Sequence, residues 1–111
     1  MTWPEIGSPL PRSEAAYAPP DKWEWILSDI GHGAHLRRVF GPLSREQVWE
    51  AITGEAILIP ISRIRDLGRL GRSCEIRTQL TLNNRVASVI VVWHYDAEGA
   101  APRLVTVYPT T

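Results

Sequence analysis

Cysteine occurs once in the 111 residues, at Cys74. One thiol cannot build an internal disulfide framework and cannot form a cysteine-rich zinc site. No apolar run approaches the roughly 20 residues needed to span a bilayer. The N-terminus, MTWPEIGSPLPR, lacks the basic-then-apolar layout of a secretory leader. A soluble chain without a membrane partner is expected. Lysine is scarce as well, Lys22 being the only one, and the formal net charge is zero. Zero charge counts against a simple nucleic-acid binder, which usually carries a basic surplus for phosphate contacts.

That average conceals a block. Between residues 63 and 85 stand Arg63, Arg65, Arg69, Arg72, Arg77 and Arg85 against only Asp66 and Glu75, so the rest of the chain is mildly acidic. Nearly all the positive charge is arginine, whose planar fork grips a phosphate bidentately where lysine offers a point charge. A chain of this length suits one domain and can bury about two-thirds of its unfolded surface.

Proline is concentrated at the start: Pro4, Pro9, Pro11, Pro19 and Pro20 fall within residues 1–20. Such a stretch favours extended conformations and reads as a linker or an arm laid over the domain, with Trp3 and Tyr17 able to pin it locally. It is expected to be dispensable for the fold, leaving residues 21–111 as a single domain. DKWEWILSDIG then reads as a short helix from a capping Asp21 to a stop at Gly31. GHGAHLRRVF reads as an exposed Gly-rich turn followed by a helical turn or two from Ala34 to Phe40. In PLSREQVWEAITG, Ser44 and Gln47 form a capping box ahead of Val48, Trp49 and Ile52 at helical spacing. After Gly54 the period changes. AILIPI (56–61) reads as an edge strand broken by Pro60, and RIRDLGRLGRS as a loop or open hairpin. CEIRTQLTL alternates, NNR turns, VASVIVVWHY is a buried central strand and RLVTVYP the last one. Helices first and an antiparallel meander second predict an α+β fold: two or three N-terminal helices packed on one face of an antiparallel four-stranded sheet, with the other face open.

On the last strand Val105 and Val107 are assigned to the core. Thr106 and Tyr108 then point to the open side, where Glu75, Arg77 and Gln79 of an earlier strand also project. Arg, Gln, Thr and Tyr on one face can bind phosphate and bases; a solvated face chosen for strand propensity is the plainer reading. A second cluster lies in GHGAHLRRVF. His32 and His35 can exchange protons at neutral pH, and Arg37 and Arg38 beside them can stabilise charge developing in a transition state. The His-x-x-His spacing is also a possible metal pair, but no third ligand accompanies it, and His94 lies on a strand. No Walker loop, nucleophile elbow or dinucleotide fingerprint is present.

A His-bearing turn that leads into the amphipathic segment SREQVWEAI and then an antiparallel meander closing on PRLVTVYPTT resembles the barnase/EndoU/RelE-like (BECR) ribonuclease toxin domains of bacterial polymorphic toxin systems. Thr106, Tyr108 and Pro109 match their closing Thr-x-Tyr-Pro strand. The resemblance implies a metal-independent, cofactor-free endoribonuclease acting in the cytoplasm of its target, cutting RNA by attack of a ribose 2′-hydroxyl on the adjacent phosphate, with a cognate immunity protein as partner. On this view His35, with His32, moves the proton, Arg37 stabilises the phosphorane, Thr106 and Tyr108 hold phosphate or base, and Arg38, Arg72, Arg77 and Gln79 bind the substrate. A non-catalytic binding module of the same fold is the alternative.

Overall fold

The computed structural model describes residues 2–28 and 31–110. Among the described residues three helices, α1 (Pro20–Ile26), α2 (Gly31–Phe40) and α3 (Arg45–Ala51), precede four strands: β1 (Arg63–Asp66), β2 (Arg72–Leu82), β3 (Arg85–Tyr95) and β4 (Arg103–Pro109). The strands form one antiparallel sheet in the order β1-β2-β3-β4. The fold is α+β, with the helices layered on one face of the sheet.

Local chemistry fixes the helix starts. Pro20 occupies the first turn of α1, where its missing N–H costs nothing, and Pro19 is the capping position, so Asp21 sits inside the first turn rather than at the cap. In α3 the capping box is reciprocal: Gln47 N–H donates to Ser44 Oγ at 3.2 Å, and Ser44 N–H to Gln47 Oε1 at 2.9 Å. A π-helical turn, Ile52–Ala56, continues α3. The segment GHGAHLRRVF is helical throughout, not a turn leading into a short helix. Gly33 explains the difference. A Cβ there would collide with the backbone of Ile26 and Ser28, so this glycine lets α2 cross close against the end of α1.

The β2–β3 hairpin closes on Asn83 and Asn84, both at positive φ (53° and 62°) as a two-residue type I′ turn demands. Asn83 Nδ2 also donates to the carbonyls of Phe40 (3.1 Å) and Pro42 (2.7 Å), and its Oδ1 accepts from Gln47 at 2.9 Å. The hairpin tip is thereby bolted to the helical layer. Between helices and sheet lies the core: Ile26, Leu36, Phe40, Val48 and Ile52 against Ile76, Leu80, Val91, Trp93 and Val107. Trp49 meets Trp93 edge to face, centroids 5.9 Å apart.

One strand assignment is corrected. Residues 56–61 form no strand; Ile57 and Ile61 are buried, and Ile61 exchanges hydrogen bonds with the arm through Gly7 and Ser8. The first strand is RIRD, which pairs antiparallel with β2 and so makes RIRDLGRLGRS the open hairpin of its two expected forms; its exposed charges suit a sheet edge. The arm is more than a cover. Leu10 is buried in the core, Tyr95 donates its hydroxyl hydrogen to the Pro11 carbonyl at 2.6 Å, and Tyr17 bridges Arg103 at the edge of β4.

Candidate functional site

The register of the sheet builds a grid on the face away from the helices. Trp93, Val91 and Val107 face the core, so their strand neighbours face outward, row by row across the sheet. One row runs Arg65, Ser73, His94, Arg103. The next runs Arg63, Glu75, Val92, Thr106. A third holds Arg77, Ile90 and Tyr108, and a fourth Gln79 and Ser88.

Thr106 and Tyr108 therefore share the open face with Glu75, Arg77 and Gln79, as their alternation along the chain predicts. Val105 does not join Val107 in the core. A β-bulge between Val92 and Trp93 of β3 pairs Val92 with Thr106 and Trp93 with Leu104, leaving Val105 as the extra residue of β4. It is half-buried and lines a recess on the open side. Thr106 is only 8% exposed, so its hydroxyl is less available than that of half-buried Tyr108.

Charge on this face is concentrated in β1 and β2. Arg63, Arg65 and Arg77 are exposed, and their guanidinium groups make no ion pair or hydrogen bond with any described residue. Glu75 stands at the centre, opposite Arg63 and one row from Arg77. Side chains paired across strands or one step diagonal lie within reach of each other. A carboxylate among free guanidinium groups has the makings of a proton acceptor beside an anion-binding surface.

The helical cluster is placed differently. Helix α2 packs against β3 and β4 on the core side, so the sheet stands between it and the side chains of Thr106 and Tyr108. Half-buried His35 belongs to that layer, and the side chain of His32 lies outside the described residues. Arg37 donates to the carbonyl of Leu27, tying α2 to the end of α1. Arg38 is exposed on α2. Arg72 alternates with Ser73, Glu75 and Arg77 along β2 and so stands on the other side of the strand; its guanidinium lies 4.5 Å from the ring centroid of Trp3 and 3.7 Å from Asp66. Of the arginine and glutamine candidates, Arg77 and Gln79 are on the open face.

His94 is the residue that sequence reasoning passed over. It is 5% exposed, and its Nε2 lies 2.5 Å from the carbonyl oxygen of Leu70. A carbonyl can only accept, so Nε2 carries the hydrogen and, in the neutral ring, Nδ1 is the acceptor. Ser73 Oγ lies 2.9 Å from that Nδ1 and supplies the hydrogen. Asp96 Oδ1 is 3.6 Å from Nε2 and is itself held by Arg103 at 3.2 Å. The i, i+2 spacing of His94 and Asp96 was visible in WHYDAEG; the strand pairing that brings in Ser73 was not. The thiol of Cys74, on the buried face, is pushed up to about 12 by desolvation, partly offset by Arg72, and is no nucleophile at neutral pH.

Among the described residues no group of three or more His, Cys, Asp or Glu is gathered to hold a metal ion. No family model, curated protein or solved structure matches the chain.

Proposed function

We propose that the open face of the sheet binds RNA and that the chain is a metal-independent endoribonuclease domain of the toxin class its sequence resembles. The observation that carries this reading is the convergence of three guanidinium groups unpaired among the described residues, Arg63, Arg65 and Arg77, with Gln79 and Tyr108 around Glu75 on the face away from the helices. The guanidinium groups take the phosphates, and Tyr108 offers a ring for a base to stack on. Glu75 receives the proton of a ribose 2′-hydroxyl as its oxygen attacks phosphorus. The bond to the 5′-oxygen breaks, that oxygen leaves with a proton drawn from water, and a 2′,3′-cyclic phosphate remains. Arg63 and Arg77 neutralise the charge of the crowded phosphorane. An immunity protein for such a domain would present an acidic surface to the same arginines.

The test is an unstructured RNA oligonucleotide followed for binding and cleavage between about 50 and 200 mM salt. Affinity should fall steeply, with a log-log slope of roughly −0.7 per phosphate contact. Glu75→Gln should bind RNA as before and cleave it about 10² to 10⁴ times more slowly. Salt-insensitive binding, or undiminished cleavage by Glu75→Gln, would overturn the assignment. Loss of cleavage in a folded His35→Ala protein would return the acid/base role to α2. The second reading, a binding module of the same fold, draws on the separation of His35 from Thr106 and Tyr108 by the sheet; salt-dependent binding with no cleavage is its signature.

A further inference from the structure

In the row Arg65, Ser73, His94, Arg103 only Arg65 has a part in the RNA reading above, and the row also holds the parts of a nucleophilic site. The geometry points to Ser73 as an activated nucleophile for carboxylic esters, an activity beyond RNA binding that shares only Arg65 with it. A serine hydroxyl is a weak nucleophile until a base can take its proton. Here His94 Nδ1 is 2.9 Å from Ser73 Oγ, and the opposite ring nitrogen is fixed by the Leu70 carbonyl at 2.5 Å with Asp96 at 3.6 Å. Base, orienting acceptor and nearby carboxylate thus stand in the order that serine hydrolases use, reached through Nδ1 instead of Nε2. His94 is buried, so its ring cannot swing away from this alignment.

The remaining requirement is a group that stabilises an oxyanion. Arg65 is the cross-strand partner of Ser73 on the other side from His94, is exposed, and has no ion-pair partner among the described residues. Cross-strand partners stand side by side on one face, so the long Arg65 side chain is assigned the role of facing an oxygen that develops negative charge beside Oγ. Space for a substrate is also present. Ser73 and His94 line a recess of about 530 Å³ with apolar Leu67, Leu70 and Val105, the cations Lys22 and Arg69, and the Asp96–Arg103 ion pair. Leu70 is 72% exposed and Leu67 37%, apolar surface that the core does not use. A short acyl chain suits the leucine and valine walls, and an anionic leaving portion suits Lys22 and Arg69, since the Asp96 carboxylate is already paired with Arg103.

In the reaction, Ser73 Oγ attacks the ester carbonyl carbon while its proton passes to His94 Nδ1, and Arg65 faces the tetrahedral oxyanion. The carbon bond to the alkoxy oxygen breaks, that oxygen takes the proton from Nδ1, and an acyl-serine is left. Water then attacks the acyl carbon with His94 as base, releasing the acid and restoring the hydroxyl.

The experiment uses the full chain with p-nitrophenyl butyrate and, separately, a fluorophosphonate followed by peptide mass spectrometry. Expected are ester turnover above the buffer rate and a single adduct on Ser73. Ser73→Ala should abolish both, and Arg65→Ala should slow both by about tenfold or more. His94→Gln should reduce labelling of Ser73 by about 10²-fold; because His94 is buried, that variant counts only if its circular dichroism matches the parent, and Ser73→Ala and Arg65→Ala decide the matter otherwise. No adduct on Ser73, or ester turnover that survives Ser73→Ala, would overturn the inference. Glu75→Gln separates the two activities, since it should lower RNA cleavage and leave Ser73 labelling intact.

Discussion

The two faces of the sheet are made from alternate residues of the same strands, yet they obey different rules. On the helix side Ile76, Leu80, Val91, Trp93 and Val107 are fully buried and belong to one core cluster with residues of the helices. On the open side Arg63, Arg65, Arg77 and Gln79 are exposed. Only Ile90, His94 and Thr106 are buried there, each on one of the two strands β3 and β4. Stability therefore resides on one face, and the other can be furnished with charge and hydrogen-bonding groups at little cost to the fold. The exception is His94, which the open face buries with both ring nitrogens engaged.

The largest effect that tests this contrast is Trp93→Ala. Removing a fully buried indole between Trp49 and the sheet should cost roughly 3 to 5 kcal/mol in denaturant unfolding. A cost near 1 kcal/mol would mean that the helix-side core is loosely packed. Next is the arm. Leu10→Ala should cost about 2 to 4 kcal/mol, because the arm supplies this core residue. A neutral result, together with a folded protein lacking residues 1–18, would restore the expectation that the arm is dispensable.

A smaller effect appears at alkaline pH. Burial raises the Cys74 thiol from its ordinary 9.0 to about 12, and raises the Tyr95 hydroxyl above its ordinary 10.0, through desolvation first and then the proximity of Cys74 and Glu14. Both groups hold their protons more tightly folded than unfolded, so stability is complete below about pH 9 and declines as pH rises toward 12. Melting temperature measured from pH 7 to 11 should be flat and then fall. Cys74→Ala should delay the onset by removing the first of the two groups. An equal onset in that variant would count against the buried thiol.

The smallest effect on stability belongs to the open face. Arg77→Ala should change unfolding free energy by less than about 0.5 kcal/mol while reducing the salt slope of RNA binding by about one contact. Destabilisation beyond 1 kcal/mol would show that the guanidinium supports the fold, and would blur the division between the two faces.

Several elements were legible because their cause is local. Ser44 and Gln47 name their capping box in four consecutive residues, and the alternation from Cys74 to Leu80 gives the two faces of β2 before any partner is known. Others depend on what lies opposite. Gly33 looks like a turn residue until α1 is seen pressed against it. RIRD has no strand signature of its own and is ordered by pairing with β2. Val105 follows the alternation on paper, and the bulge that removes it from the core is set by the match between β3 and β4.

What the sequence determined by itself is the class of fold and the sidedness of β2 and of the end of β4, since period and capping act over a few bonds. Only the tertiary structure decided which reactive groups meet. Ser73 and His94 are 21 residues apart, and Arg65 comes to Ser73 through a separate strand pairing. Their juxtaposition depends on sheet register, a collective outcome of hairpin geometry and core packing that no short stretch of chain encodes alone.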